Sequence, residues 1–174
     1  MMERRIREAW SYDPVTGKII WLISIPPAEA LEEAGSLHSA GYKQLCLDQT
    51  MYLAHRVAWF LYYGEWPKEN LDHIDGDRLN NKITNLRIAN KQQNAWNRLP
   101  RKNVTSLYKG VSWDKVRNKW AVYIKVDGKV VNLGRYLLEE DAAEAYNKAA
   151  IAHFNGFGRL NIVHPAISTD AIMV

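Results

Sequence analysis

The first half of the chain alternates between helical and extended patterns of hydrophobic residues. MMERRIREAW predicts a short helix, and KIIWL predicts a strand that follows a turn over residues 13–17. After a loop rich in Pro and Ala, GYKQLCL and TMYLA predict the two strands of a hairpin around Asp48-Gln49. HRVAWFLYYG then predicts a helix that ends near Gly64, with its aromatic stripe in the core.

A second alternating pattern lies in KWAVYIKVDGKVVNLGRY, where Asp127-Gly128 is a strong signal for a two-residue hairpin. The alternation predicts one core face and one face that can meet a partner. The expected cross-strand pairs are Val126 with Lys129, Ile124 with Val131 and Val122 with Leu133 on the core side, and Lys125 with Val130 and Tyr123 with Asn132 on the other. Trp120 falls on the core face.

EEDAAEAYNKAAIAHF predicts a helix that begins with three acidic residues. Its small residues recur at helical spacing, and we expect them to let the helix lie close to the sheet: Ala142, Ala145, Ala149 and Ala152. With YKGVSW in front, residues 107–161 therefore predict a small three-stranded antiparallel sheet packed on one helix. The whole chain is predicted to be α+β.

Charge separates this unit from the rest. The 174-residue chain has a formal net charge of +4, but the segment from Arg98 to Arg135 holds ten Lys and Arg against two Asp, which gives +8 and leaves −4 for the remainder. This asymmetry favours a basic nucleic-acid-binding module, although a solvated basic surface gives the same count. The polar, basic residues 99–106, broken by Pro100, are expected to form a linker.

Other protein classes are disfavoured by composition. A single cysteine, Cys46, excludes an internal disulfide framework and a Cys-based zinc cluster, and we expect it to be a packed structural thiol. The N-terminus has no apolar signal region, and VAWFLYY is too short to span a bilayer. We therefore expect a cytoplasmic protein of a bacterial or phage-infected cell with no membrane partner, and the sequence indicates no protein partner.

The segment LDHIDGDRLNNKITNLRIANKQQNAWNR holds the candidate chemistry. Hydrolysis of a phosphodiester needs a base to activate water and a cation to stabilise the leaving oxygen. His73 is suited to the first task because imidazole is basic near neutral pH, and Asp72 offers a hard oxygen to the cation. Neighbouring strand residues point to opposite faces, so convergence of these two requires a bend, which Gly76 permits. Asn80 and Asn81 are interpreted as turn residues.

A short helix is predicted to follow this segment. Asn90 is a suitable N-cap, and Gln93 at the third helical position completes a capping box. The helix is expected to run from Lys91 to about Leu99, with Asn94 and Asn97 on one face.

These residues resemble the HNH endonucleases, especially the homing-type phage and intron branch in which the third histidine is an asparagine. GYKQLCLDQTMYLAHRVAWFLYYGEWP is similar to the segment that precedes the motif there. The resemblance implies a ββα-metal (His-Me finger) nuclease core within residues 1–98. It implies that His73 is the general base, that Asp72 and Asn94 bind one Mg²⁺ or Mn²⁺ per active site, and that Asn85 is a structural amide. Asn97 is the alternative to Asn94.

The second unit, in YKGVSW, the hairpin, EEDAAEAYNKAA and FNGFGRLN, resembles the plant APETALA-type or ethylene-response-factor DNA-binding domain. That resemblance implies that its sheet binds double-stranded DNA through Lys109, Ser112, Tyr123, Lys125 and Asn132. Several positions that are Arg or Trp in the plant proteins are Ser, Tyr or Asn here, so the sequence preference is open. Further expected electrostatic contacts to DNA are Arg98, Arg101, Lys102, Lys115, Arg117 and Arg135. Arg87 is open between a contact with the DNA backbone and a surface or intramolecular pairing. Residues 162–174 carry no motif.

Together these features predict a metal-dependent DNA endonuclease that nicks or cuts duplex DNA at sites chosen by its C-terminal domain. His55 is open between a structural role and a phosphate contact. A non-catalytic DNA-binding regulator is the main alternative, and an RNA-processing protein is disfavoured because the sheet offers little aromatic stacking surface.

Overall fold

The computed structural model describes residues 1–100 and 105–163, and it divides into two compact units, Met1–Asn94 and Ala95–Val174. Arg101 and Lys102, both expected to contact DNA, lie outside the described residues. Within the described ranges, no helix has the length and apolar character needed to cross a membrane.

The first unit combines short helices with three small antiparallel sheets, β1 with β2, β3 with β4 and β5, and β6 with β7. Its core is built around Ile6, Trp10, Leu45, Val57 and Phe60, all nearly inaccessible to solvent. The elements are α1 (Met2–Ala9), β1 (Trp10–Tyr12), β2 (Ile19–Trp21), β3 (Ser36–Leu37), β4 (Lys43–Leu47), β5 (Thr50–Leu53), α2 (Ala54–Tyr63), β6 (Asn70–His73), a 3-10 turn (Ile83–Asn85) and β7 (Leu86–Ala89). The helix α3 (Lys91–Trp96) begins in this unit, and its last two residues belong to the second.

The elements predicted before residue 65 are confirmed. β4 and β5 pair around Asp48 and Gln49, which both adopt positive φ, and α2 ends at Gly64 in the left-handed region. The expectation for Cys46 was wrong, because its side chain is exposed. Leu45 and Leu47 are buried on the opposite face of β4, so strict alternation turns the thiol outward.

The second unit contains β8 (Val111–Asp114), β9 (Lys119–Val126), β10 (Lys129–Tyr136) and α4 (Glu139–Phe154), with sheet order β10-β9-β8. Four of the five predicted cross-strand pairs are confirmed. The fifth is wrong, because Val122 lies opposite Gly134 rather than Leu133. Asn132 Oδ1 accepts the Gly134 amide at 2.9 Å, and Gly134 has a φ of 113°, so the strand bulges there.

The helix α4 has the predicted bounds but a different buried stripe. Its buried residues are Ala142, Ala143, Tyr146, Ala150 and Phe154, whereas Ala152 is exposed. The rings of Tyr146 and Phe154 therefore bury more area than an all-alanine stripe would. Ala142 and Ala150, one turn before and one turn after Tyr146, leave space for them.

The helix α3 begins as predicted and ends early. Asn90 Oδ1 accepts the Gln93 amide at 2.9 Å, and Gln93 Oε1 accepts the Asn90 amide at 2.8 Å, so the capping box is present. The helix ends at Trp96 instead of Leu99. The Trp96 ring stacks on Phe154 at 4.4 Å, and the carbonyl of Trp96 accepts from Arg159 N at 3.1 Å instead of from a further helical turn.

Candidate active site

The hairpin of β6 and β7 positions the adjacent Asp72 and His73. Asp72 lies opposite Arg87 and His73 opposite Leu86, and only 8% of Asp72 and 4% of His73 is exposed. β6 ends at His73, whose carbonyl accepts the Gly76 amide at 2.8 Å in a turn where Gly76 has a φ of 79°. The chain therefore bends directly after the pair, at the glycine expected to permit it.

Asn85 holds the loop after His73 closed. Its Nδ2 donates to Asp75 Oδ1 at 2.9 Å and to the Asn80 carbonyl at 2.8 Å, while its Oδ1 accepts the Asp75 amide at 3.0 Å. Burial acts to raise the pKa of Asp75, but hydrogen bonds from Asn80, Asn85 and the Asp77 amide, together with the charge of His73, leave the pKa below its usual value. These contacts correspond to the structural role expected for Asn85.

The His73 imidazole is enclosed by polar and aromatic side chains. Its Nε2 lies 3.1 Å from Asn81 Oδ1. Its ring centroid is 5.1 Å from His55, edge to face, and 6.1 Å from Tyr42. Asn81 is only 2% exposed, so sequence reasoning missed its contact with His73 by treating it as an ordinary turn residue. The sequence motif does not distinguish Asn81 from the neighbouring Asn80. Their different contacts become visible only in the folded loop.

His55 is a buried neutral imidazole beside His73. Burial lowers its pKa to about 3, and the nearby charges of His73 and Arg56 act in the same direction. Its Nδ1 has no hydrogen-bond partner among the described residues. With 5% of the residue exposed, the structural role fits the geometry, and the phosphate contact stays a prediction.

Asp72 is paired with Arg87 across the hairpin. Its Oδ2 accepts from the guanidinium Nε at 2.9 Å and from Nη2 at 2.8 Å. The two side chains are 10% and 19% exposed, so water screens this pair weakly. The Arg87 guanidinium is thus paired within the chain, with the candidate metal ligand, and its contact with DNA stays a prediction.

The side chains expected to bind a cation, Asp72 and Asn94, lie on β6 and α3. Ala89, at the end of β7, pairs with Asn70, so the segment leading into α3 starts beside β6, two residues from Asp72. Asn94 is half-buried on that helix. Among the residues described, no three His, Cys, Asp or Glu side chains form a metal-binding group. One carboxylate oxygen and one amide oxygen are a donor set that fits a hard divalent cation completed by phosphate and water. The alternative, Asn97, is buried.

The outer face of the β8-β9-β10 sheet presents part of the expected DNA-binding set. Ser112, Tyr123, Lys125 and Asn132 are exposed, and Tyr123 pairs with Asn132.

Other cations of that set have partners within the unit. Arg117 Nη1 and Arg135 Nε both donate to Asp114 Oδ2, at 3.2 and 2.9 Å. The Lys109 ammonium donates to the carbonyls of Trp96 and Arg98, and burial lowers its pKa to about 8. Arg98 and Lys115 are exposed. DNA contacts by all of these residues stay predictions.

Comparison with known proteins places the motif in a family. The HNH endonuclease family model matches residues 52–96. Protein 3.8 of Escherichia phage T7 is 41% identical over 87 residues, which cover 49% of this chain and 72% of that protein. The uncharacterized HNH endonuclease L560 of Acanthamoeba polyphaga mimivirus is 37% identical over 109 residues, or 62% of this chain and 56% of that protein.

A solved structure of DNA binding and cleavage by the HNH homing endonuclease I-HmuI is also similar. It is 21% identical, with a TM-score of 0.38, and the match covers 78% of this chain and 75% of that one.

Proposed function

Since the chain belongs to the HNH endonuclease family and is a nuclease, we propose that it hydrolyses phosphodiester bonds of duplex DNA in a reaction that needs a divalent cation. The observation that carries the proposal is the buried Asp72-His73 pair at the end of β6, with a polar partner already on each side chain. A carboxylate and an imidazole at a strand end are the groups that metal-assisted hydrolysis requires.

His73 is the general base in this proposal. Its imidazole takes a proton from the water that attacks phosphorus, and the bond to the 3′ oxygen breaks, which leaves a 5′-phosphate and a 3′-hydroxyl. A divalent cation bound by Asp72 and Asn94 would supply charge stabilisation at the leaving oxygen. Asn85 keeps the loop closed through its contacts with Asp75 and Asn80, so that the base is held in place.

Arg87 sets the charge of the site before DNA arrives. Because its guanidinium neutralises Asp72, the free protein offers little net negative charge to a cation. Phosphate oxygens of bound DNA would complete the coordination shell. We therefore propose that metal binding is weak in the absence of DNA.

The second unit is proposed to hold the duplex. Lys125 lies on an exposed sheet face beside polar residues, and a net charge of +8 from Arg98 to Arg135 favours a polyanion. A protein with one active site would nick one strand, and a double-strand break would need a second cutting event.

Relaxation of supercoiled plasmid with and without magnesium tests this proposal. We expect the wild type to convert supercoiled to open-circular plasmid only with the metal present, and His73→Ala to lose the activity. His153→Ala is the matched control, because His153 is exposed on α4, and it should cleave like the wild type. If wild type and His73→Ala both shift duplex DNA in a gel and neither cuts it, the chain is a DNA-binding regulator and the catalytic proposal is wrong.

A further inference from the structure

A buried hydrogen bond joins Asn81 to His73. Asn81 Oδ1 lies 3.1 Å from His73 Nε2, and both residues are more than nine-tenths buried. An amide oxygen can only accept a hydrogen bond, and a neutral imidazole carries its proton on one nitrogen alone. In the neutral imidazole, this contact is a hydrogen bond when the proton is on Nε2, which leaves the lone pair on Nδ1.

The backbone of Asn81 is fixed from the N-terminal hairpin. Tyr12 Oη donates to the Asn81 carbonyl at 2.8 Å, and Pro14 O accepts the Ile83 amide at 3.3 Å. Gly17 approaches so closely that a Cβ there would lie 2.6 Å from Lys82 N and 2.7 Å from the Asn81 carbonyl carbon. The β1-β2 turn thus supports the residue that contacts His73.

Asn80, the adjacent residue, has a different role. Its Nδ2 donates to Asp75 Oδ2 at 2.6 Å, and its carbonyl accepts from Asn85. These contacts close the loop and none of them reaches His73. Of the two neighbouring asparagines, it is therefore the side chain of Asn81 that contacts the base.

We propose that Asn81 is a positioning residue for the general base. Its amide oxygen holds the Nε2–H tautomer of His73 and fixes the ring angle, so that Nδ1 is the nitrogen that takes the proton from the attacking water. His55 and Tyr42 pack against the ring and restrict its rotation. The tautomer assignment follows from the contact alone, whereas its effect on the rate rests on the proposed function.

Long-range ¹H–¹⁵N correlation spectra of the full chain labelled at histidine test the tautomer directly. They are recorded at a pH where the imidazoles are neutral, and the His73 signals are assigned by their loss in His73→Ala. The wild type should show Nε2–H. Asn81→Leu, which has similar volume and no acceptor, should lose that preference, and Asn81→Asp, which keeps an oxygen acceptor, should retain it. An Nδ1–H pattern in the wild type, or an unchanged pattern in Asn81→Leu, overturns the proposal.

Plasmid cleavage kinetics test the consequence. Because a misplaced catalytic group can cost about 100-fold in rate, Asn81→Leu should lower kcat by about that factor with KM unchanged. Asn81→Asp should recover most of kcat, and the control His153→Ala, at an exposed position of α4, should retain it. A kcat for Asn81→Leu equal to that of His153→Ala counts against the positioning role.

Failure of this proposal and failure of the proposed function give different results. If the wild type never cuts DNA but the Nε2–H preference is lost in Asn81→Leu, the nuclease proposal is wrong and the positioning role of Asn81 stands. If the wild type cuts DNA while Asn81→Leu leaves both the tautomer and kcat unchanged, the nuclease proposal stands and the positioning role is wrong. If Asn81→Leu does not fold, Tyr12→Phe replaces it, and a wild-type spectrum and kcat in that variant overturn the proposal.

Discussion

Two imidazoles whose centroids are 5.1 Å apart differ in what surrounds them. His73 has an amide acceptor at Nε2, while His55 Nδ1 has no hydrogen-bond partner in the described part of the chain. A buried imidazole without such a partner resists protonation, because desolvation disfavours its charged form. His55 therefore makes the folded state sensitive to acid, independently of catalysis.

His55→Gln should reduce the loss of stability on acidification. The pKa of His55 is about 3 in the folded chain and near the reference value of about 6.5 in the unfolded chain. Below pH 6.5 the unfolded state therefore binds a proton that the folded state does not, and stability falls as pH falls towards 3. By pH 5 this amounts to about 2 kcal/mol. Urea unfolding at pH 8 and pH 5 measures it, and a variant with the wild-type pH dependence would contradict the assignment.

Arg87→Gln should destabilise the free protein and strengthen its binding of magnesium. Removing the guanidinium takes the cationic partner from a mostly buried Asp72, at a cost of about 3 kcal/mol. The carboxylate is then left to the cation, so saturating magnesium should restore part of the free energy of unfolding, whereas it should change the wild type little. Urea unfolding with and without the metal measures both effects.

Arg56→Gln is the matched control for that experiment. Its guanidinium donates to the carbonyls of Pro67 and Glu69 at 2.9 and 3.2 Å, so its loss should lower stability with no response to magnesium. An equal magnesium response in both variants would mean that the cation binds somewhere other than Asp72.

At this scale the sequence motif predicts Asp72, His73 and Asn85 as site residues from their chemistry and spacing. It cannot identify Arg87 or Asn81 as their partners. Arg87 reaches Asp72 through the cross-strand register of a hairpin with a long connection, and Asn81 reaches His73 through closure of that connection. Neither contact follows from a repeating spacing of residues, so the sequence pattern does not predict it.

At the scale of elements, short-range signals predicted most of the fold. Alternation and the Asp127-Gly128 turn predicted β9 and β10, and both turn residues have positive φ as a type I′ hairpin requires. The bulge near Gly134 and the early end of α3 depend on partners distant in sequence, which alternation and capping signals do not contain. The predicted buried stripe of α4 consists of alanines alone, whereas Tyr146 and Phe154 are also buried in the structure.

Gly110→Ala should destabilise the second unit far more than Gly128→Ala does. Both glycines have positive φ, which costs an alanine about 1 kcal/mol. A Cβ at Gly110 would in addition collide with the buried Tyr146 ring and lie 2.7 Å from the Tyr123 carbonyl oxygen, whereas a Cβ at Gly128 meets nothing within 4 Å. We expect a loss of about 3 kcal/mol or more for Gly110→Ala. Urea unfolding of both variants measures the difference. Equal losses in the free energy of unfolding would mean that backbone strain at positive φ is the whole effect and that the collision with Tyr146 adds nothing.

Across the whole molecule, several of the ten cations between Arg98 and Arg135 are already engaged by other groups of the chain. Arg117 and Arg135 share Asp114, and the Lys109 ammonium is bonded to two backbone carbonyls. Counting cations along the chain therefore overstates the binding surface. Lys109 and Lys125 were both expected to contact DNA, and the structure gives them different surroundings.

Replacing each of these lysines in turn distinguishes a lysine that contacts DNA phosphate from one that bonds groups within the protein. Lys125 is exposed on the sheet face, so Lys125→Gln should weaken duplex binding and lower the slope of log affinity against log salt by about one. Lys109→Gln should leave that slope unchanged and lower the free energy of unfolding instead, because the replacement removes a cation that bonds the carbonyls of Trp96 and Arg98. Fluorescence anisotropy over a salt series, with urea unfolding beside it, measures both. A reduced slope in Lys109→Gln with unchanged stability would show that this ammonium leaves its carbonyls to bind phosphate.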